Sequence, residues 1–465
     1  YTGKRAHRGH GVRDNRPQGD QTAVSCENRH SSWPQDNKPM ITVQEAQELL
    51  RKGLRREAEA AYRQVLETSP DNVEALNILG NMALNRGDAA QALQLLQRAA
   101  LAAPNDAVTR HRIARAHDAM GNVDFALAEQ EQAVRLDPDF NLARLHLGIA
   151  LENQGQADRA LLHYSRAVKQ SQMQGRWLDP ASTPEGIRPL VEHAVVSIRN
   201  GRATMLYNLI EPLIQKYGRD SLARVDHCLR VHLDMEPAAY PDARQHPTFL
   251  YFPGLPTSPY FDRSLFPWIE AMESQTEAVL AELQGVLPGD SGRERVFLDL
   301  AVEEQNLRGA DKPPSWNGYY FYRHGQRRAE NHANCPTTSA ALEKLPLSRV
   351  PEHGPECLFS VFTAGTHLMI HRGVTNTRVV GHLPLIIPKG DCALNVGGEL
   401  HRWQKGRIVV FDDTYEHEAW NRSDETRVVL IFDLWNPHLT DVERIATSDI
   451  VEAIGGMREA ADNAA

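Results

Sequence analysis

From Thr42 to about Gln174 the chain repeats every 34 residues, and several independent series keep the same phase. Ala46, Gly80, Ala114 and Gly148 form one series, Gly53, Gly87, Gly121 and Gly155 a second, and Ala58, Ala92, Ala126 and Ala160 a third. Pro70, Pro104 and Pro138 close three of the units. The residue types explain themselves as helical hairpins. Small side chains let two helices approach closely, glycine turns the chain between them, and proline stops the second helix before the next unit. Leu79, Ile113 and Leu147 recur at one phase of the first helices, and Leu66, Ala100, Val134 and Val168 in the second. Units of this kind bury a core only by stacking on their neighbours.

The pattern resembles tetratricopeptide repeats and covers about four units. The resemblance implies an all-α solenoid over residues 40–174 whose concave face holds a peptide or a partner protein; a structural spacer or dimerisation arm is the alternative. Helical periodicity continues through Leu190, Val195, Ile198, Met205, Leu206, Leu209 and Leu213, which predicts a helical cap and connector over 175–245. Pro237, Pro241 and Pro247 mark the boundary with the next domain.

A chain of 465 residues is too long for one ordinary core, so two or three domains are expected. The formal charge of -9 gives no electrostatic footprint for nucleic acid. No apolar run reaches the roughly 18 residues that a membrane span needs, so no membrane partner is expected. Cys26, Cys228, Cys335, Cys357 and Cys392 are widely spaced with no CxxC pair, a pattern that fits reduced thiols in a cytoplasmic protein. Residues 1–39 are polar, begin with Tyr1 and lack the apolar segment of a secretory signal. They read as a disordered leader or upstream sequence, with Met40 as the start.

The second half alternates short apolar runs with turns. A helix is predicted from about Leu265 to Leu287, then strands at Trp316–Tyr322, Cys357–Phe362, Thr377–Ile387, Ala393–Val396, Arg407–Phe411 and Arg427–Trp435. Pro388-Lys389-Gly390, Gly397-Gly398 and Lys405-Gly406 supply turns. His371 and His417 bracket three of these runs, and Arg427 heads the last strand. Two imidazoles and one guanidinium at the mouth of a small barrel suit a redox-active iron and a dicarboxylate cosubstrate. The usual iron site adds a carboxylate two residues after the first histidine, on the same face of an extended segment. That position is Gly373 here. By the same alternation His367 should share the face of His371. Asp412 and Asp413 have the chemistry of ligands, yet paired aspartates at a strand end more often satisfy turn amides.

From about Phe249 to Pro437 the chain resembles the aspartyl/asparaginyl β-hydroxylase family. The resemblance rests on Tyr251-Phe-Pro-Gly-Leu255, Gly365-Thr-His367, His371-Arg-Gly-Val-Thr-Asn-Thr-Arg378, His382-Leu-Pro-Leu385, Val410-Phe-Asp-Asp-Thr-Tyr-Glu-His-Glu-Ala-Trp420 and Arg427-Val-Val-Leu-Ile-Phe-Asp-Leu-Trp-Asn-Pro437. It implies a double-stranded β-helix of the jelly-roll, cupin-like kind with flanking helices over 246–440, then a C-terminal helix and tail over 441–465. It implies Fe(II) on His371 and His417 alone, with Gly373 at the carboxylate position and water in its place. Ser360 and Arg427 match the residues that hold the far carboxylate of 2-oxoglutarate, and His382 the residue at the carboxylate that chelates iron. A further family arginine, two residues before that histidine, is Val380 here; Arg378 is nearby at a different position. The implied activity is β-hydroxylation of an Asp or Asn side chain in a peptide or protein, with the array presenting substrate or a partner. Two alternatives stand beside it: an interaction scaffold with an inactive barrel, and a zinc hydrolase using His371, His382 and His417.

Overall fold

The computed structural model describes residues 41–287, 293–296, 300–309 and 314–463; the leader read at 1–39, with Met40, lies outside the described residues. Eight helices pair into four hairpins: α1 (Val43–Arg51) with α2 (Arg55–Thr68), α3 (Val73–Asn85) with α4 (Ala89–Ala102), α5 (Ala107–Ala119) with α6 (Val123–Leu136), and α7 (Asn141–Asn153) with α8 (Ala157–Met173). Each hairpin turns on the predicted glycine. Gly53, Gly87, Gly121 and Gly155 take φ of 77°, 82°, 76° and 75°, the left-handed conformation that closes a helix at low cost only without a side chain. The small-residue series marks real contacts as well. A Cβ added to Gly80 would lie 2.7 Å from Leu96, and one added to Gly148 would lie 2.3 Å from the ring of Tyr164.

The connector forms α9 (Arg188–Tyr217) and α10 (Ala223–His232). Val191 and Ala194 of α9 close the core of the last repeats around Trp177, Tyr164 and Val168. Further along, Leu206 and Ile210 join Val225 and Leu229 of α10, Phe252 and Leu255 of the entry motif, and Ile450 and Ile454 of the C-terminal helix (Asp441–Asn463) in one core. Arg224 reinforces that junction with a two-pronged pair to Glu443, at 2.8 and 2.6 Å.

The second half is rich in β-structure. Its strands are β1 (Arg293–Arg295), β2 (Leu307–Arg308), β3 (Trp316–Arg323), β4 (Gln326–Arg327), β5 (Cys357–Phe362), β6 (His367–His371), β7 (Arg378–Ile386), β8 (Cys392–Val396), β9 (Glu399–His401), β10 (Val409–Phe411), β11 (His417–Asn421) and β12 (Arg427–Trp435). The larger sheet runs β1-β3-β5-β12-β7-β10 with β4 beside β3; the smaller runs β2-β6-β11-β8-β9. Alternation decides what each face of the larger sheet meets. Val428, Leu430, Phe432 and Leu434 of β12 point outward onto helices that contribute Ile269, Val279 and Leu283. Arg427, Ile431 and Asp433 point the other way, into a cavity, and Val429 packs against residues of the smaller sheet.

The helix expected over Leu265–Leu287 is broken. A 3-10 turn at Arg263–Leu265 precedes helices at Ile269–Glu273 and Thr276–Val286. The break falls at Glu273, whose carboxylate is drawn to Arg263 at 2.8 Å and to the Ile408 amide at 2.7 Å, while the Thr276 hydroxyl donates to the Glu273 carbonyl. Tertiary bonds outweigh an uninterrupted helical pattern here. For the array, the Gly148 contact makes an expectation. Gly148→Ala should destabilise it by roughly 1–3 kcal/mol, the usual result of overpacking, and thermal unfolding followed by circular dichroism would show it; an unchanged midpoint would contradict the close approach of α7 and α8.

Candidate functional site

His371 ends β6 and His417 begins β11, and the two strands pair antiparallel with these residues directly opposite. Their ring centroids lie 4.0 Å apart. His371 Nδ1 lies 2.8 Å from the carbonyl of Met369, and His417 Nδ1 lies 3.1 Å from that of Tyr415. A carbonyl can only accept, so Nδ1 carries the proton in each ring and Nε2 keeps its lone pair. Burial, then the neighbouring His371, holds His417 down at about 3, so it is neutral near pH 7. Two imidazoles oriented by backbone acceptors have the arrangement of a metal-binding pair.

The register that aligns them also corrects one expectation. A bulge falls between His417 and Ala419, so that Ala419 faces Leu368 and Trp420 faces His367. His367 therefore leaves the face of His371. It bonds Glu418 at 2.8 Å and packs against Trp420 instead. Among the described residues no group of three His, Cys, Asp or Glu side chains is arranged to hold a metal. A three-histidine zinc site with His382 is therefore not formed.

Gly373 explains why a third protein ligand is missing from its usual place. A Cβ there would lie 2.2 Å from the carboxyl carbon and Oδ1 of Asp413, so Asp413 fills the space of a residue-373 side chain. Asp413 Oδ2 accepts from Arg378 Nη2 at 2.8 Å, whereas Oδ1 is buried without a partner. Arg378 also pairs with Asp433. Burial works against its charge, but Asp413 and Asp433 outweigh that and raise its pKa. Arg378 is thus committed to two carboxylates and does not take the part of the arginine missing at Val380. Asp412 turns away from the pair, accepting from Gln245 and from the Thr414 amide and hydroxyl, the turn role expected for it.

Arg427, Ser360 and His382 project into the same cavity from β12, β5 and β7. Arg427 is 1% exposed, and its guanidinium is sandwiched between the rings of Phe362 at 3.9 Å and Trp403 at 4.6 Å. It reaches Ser360 Oγ at 3.3 Å, which also accepts from the Trp316 indole at 2.9 Å, so the serine hydroxyl proton is left to donate elsewhere. No carboxylate pairs with Arg427 among the described residues, its Nε has no partner, and burial pulls it down to about 10. A desolvated cation without a counterion is costly unless an anion arrives from outside. His382 is buried with Nδ1 unpartnered; burial, then Arg427 and His417, keep it well below its ordinary pKa. Phe362, Trp403, Trp316 and the packing role of Asp413 were not foreseen, since they come from separate segments with no shared motif. For Asp413 the one available signal was the glycine at 373.

Helical repeats are thus joined to a two-sheet domain whose cavity gathers a histidine pair, a buried guanidinium and a third histidine. Residues 273–437 match the family model described as aspartyl/asparaginyl beta-hydroxylase, and 43–107 and 111–173 match tetratricopeptide repeat. Ornithine lipid ester-linked acyl 2-hydroxylase of Rhizobium tropici is 34% identical over 190 residues, 40% of this chain and 64% of that protein. Human aspartyl/asparaginyl beta-hydroxylase is 24% identical over 355 residues, 76% of this chain and 41% of that protein. Human aspartate beta-hydroxylase domain-containing protein 2 is 29% identical over 248 residues, 52% and 64%. The chain thus spans less than two thirds of the length of each of these relatives. Its β-rich part is thus similar to the aspartyl/asparaginyl β-hydroxylase family, and the helical part that precedes it to tetratricopeptide repeats.

The Gly373 contact is testable by a double-mutant cycle. Gly373→Ala alone should lower stability by displacing Asp413, and Asp413→Gly should lower it by loosening Arg378. Combined, the two should cost less than their sum, by a coupling of roughly 0.5–3 kcal/mol. Strict additivity in denaturant unfolding would show that the two positions do not share space.

Proposed function

We propose that the protein is an Fe(II)- and 2-oxoglutarate-dependent oxygenase that hydroxylates an sp3 carbon, built on a double-stranded β-helix. The observation that carries this reading is the buried, unpaired guanidinium of Arg427 in one cavity with the His371–His417 pair. Its planar fork suits the far carboxylate of a dicarboxylate, and the free hydroxyl proton of Ser360 adds a second donor. The rings of Phe362 and Trp403 hold the guanidinium flat and keep water away from it. His382, two sheet rows from Arg427 along the larger sheet, would stand beside the carboxylate nearer the metal pair.

Iron, when bound by His371 and His417, supplies dioxygen activation in a reaction that turns 2-oxoglutarate, dioxygen and R–H into succinate, carbon dioxide and R–OH. The chain's own part is to orient the oxoacid, hold both imidazoles with Nε2 free and exclude water. Asp413 occupies the space beside Gly373 and lines the cavity there. Aspartyl and asparaginyl residues, and the acyl chain of an ornithine lipid, appear in the relatives' names as two substrate classes. The motif resemblance points to the first, with the array presenting an Asp- or Asn-bearing peptide. No helix among the described residues is long and apolar enough to cross a membrane.

Uncoupled conversion of 2-oxoglutarate to succinate by the iron-loaded protein is the direct test. Turnover separates an oxygenase from a scaffold with an inert barrel; its absence, with no 2-oxoglutarate binding in calorimetry, would end the proposal. Arg427→Ala should raise the 2-oxoglutarate requirement about a hundredfold or more, the counterpart of roughly 3–5 kcal/mol for a buried charge left unpaired. Metal analysis after anaerobic loading should find iron lost in His417→Ala and retained in Asp413→Ala; the reverse order would make the aspartate a ligand.

A further inference from the structure

One wall of the cavity is a face of the C-terminal helix. Thr447, Val451, Gly455 and Arg458 line the cavity, and their spacing of four, four and three residues places them along one side of that helix. The wall grades from closed to open: Thr447 and Val451 are buried, and Arg458 is exposed. Thr447 Oγ1 is buried without a hydrogen-bond partner. At Gly455 the loop that carries His353 touches the helix, since an added Cβ would lie 1.8 Å from the imidazole Nε2. At about 1.5 Å per residue, Thr447 and Arg458 stand roughly 16 Å apart along the helix, the length of about five residues of extended chain.

The open end carries uncompensated positive charge. Arg458 lies over the ring of Phe249 at 5.2 Å, and that ring meets His232 of α10 edge-on at 6.1 Å. Arg202 of α9 donates to His232 Nε2 at 3.1 Å. A guanidinium only donates, so His232 accepts and is neutral; burial, then Arg202, hold it down at about 4. Asp234 acts on His232 in the other direction, less strongly than Arg202. Neither Arg202 nor Arg458 has a carboxylate partner among the described residues. Other arginines of the lining are committed: Arg323 to Glu294, Arg372 to Glu416, and Arg378 to Asp413 and Asp433. Of the acidic side chains there, Asp413 and Asp433 are held by Arg378 and Glu356 by the His324 amide, which leaves Glu352, on the loop with His353, as the exposed one. Arg202, His232, Phe249 and Arg458 all fall outside the stretches that match family models. The charge of this mouth is therefore set by the connector and the C-terminal helix.

Resting on the oxygenase reading, we infer that Arg458, backed by the Arg202–His232 pair, selects a peptide with acidic side chains on one flank of the hydroxylated residue, roughly five or more positions away from it. These acidic side chains are additional to the residue that is hydroxylated. At the rim both partners keep much of their water, so a carboxylate gains attraction at small desolvation cost, and opposite charge favours one class of partner and speeds its encounter. The lining leads inward from Arg458 to the buried hydroxyl of Thr447, a path that an extended chain follows and a flat anionic membrane cannot.

Peptides with one central asparagine and a pair of aspartates, lysines or alanines, moved position by position along each flank, test this on the full chain. Binding is read by fluorescence anisotropy on the iron-loaded protein with 2-oxoglutarate, under anaerobic conditions. At low salt the best-placed aspartate peptide should bind roughly tenfold more tightly than its lysine counterpart, and the gap should close as ionic strength rises. Arg458→Glu should reverse the order, a gain for the lysine peptide that a misfolded variant would not show. Equal binding of the three peptides, or a preference that Arg458→Glu leaves as it was, would overturn the inference and leave the oxygenase reading standing. So would phosphatidylglycerol vesicles that bind through Arg458 while the peptides do not discriminate, an outcome that would make the mouth a membrane contact. The oxygenase reading fails separately, by absence of 2-oxoglutarate binding and turnover, and this inference then falls with it.

Discussion

The charged bridge at Arg378 is the contact on which the geometry of the site depends. Its guanidinium, on β7 of the larger sheet, pairs with Asp433 on β12 of the same sheet and with Asp413, in the turn that leads into β11 of the smaller one. A pair of this kind contributes little net stability once desolvation is counted, but removing one partner leaves a buried charge uncompensated. Its value lies in position. Asp413 is held where only a glycine at 373 leaves room, and the Gly373 amide donates to the Asp413 carbonyl. The turn between the two histidine-bearing segments is fixed from both sides.

Each sheet then supplies a different half of the chemistry. The smaller sheet brings His371 and His417 face to face through one antiparallel pairing and a bulge. The larger sheet supplies Arg427, Ser360 and His382 from three neighbouring strands, all on the inward phase of their alternation. Neither sheet carries all five of these residues, so they share one cavity only because the sheets face each other across Phe362, Leu394, Phe411 and Val429. The helical parts reach the same place by packing: the C-terminal helix shares a core with the connector and also presents Thr447, Val451 and Arg458 to the cavity. The outer wall of the cavity therefore lies beyond the stretch that matches the family.

Much of this was legible in the chain. The repeat period reported four hairpins because close helix contact and a left-handed turn each tolerate few residue types, and both demands recur at fixed spacing. The strands Cys357–Phe362 and Arg427–Trp435 were read at their observed limits, since each is a mostly apolar run of strand length rich in β-branched and aromatic residues. The face of His367 and the long helix at Leu265 were misread for a common reason. A bulge and a carboxylate captured by a distant arginine are tertiary events, and local periodicity contains no trace of either.

By itself the sequence determined which side chains have the chemistry of metal and anion ligands, and that repeats precede a β-rich domain, because those properties follow from side-chain chemistry and from spacing along one element. Only the tertiary structure decided that Arg427 has no counterion while Arg378 has two, and that Arg427 and His382 open into one cavity with the histidine pair. Pairing and burial depend on which strands become neighbours, and residues far apart in the chain settle that together.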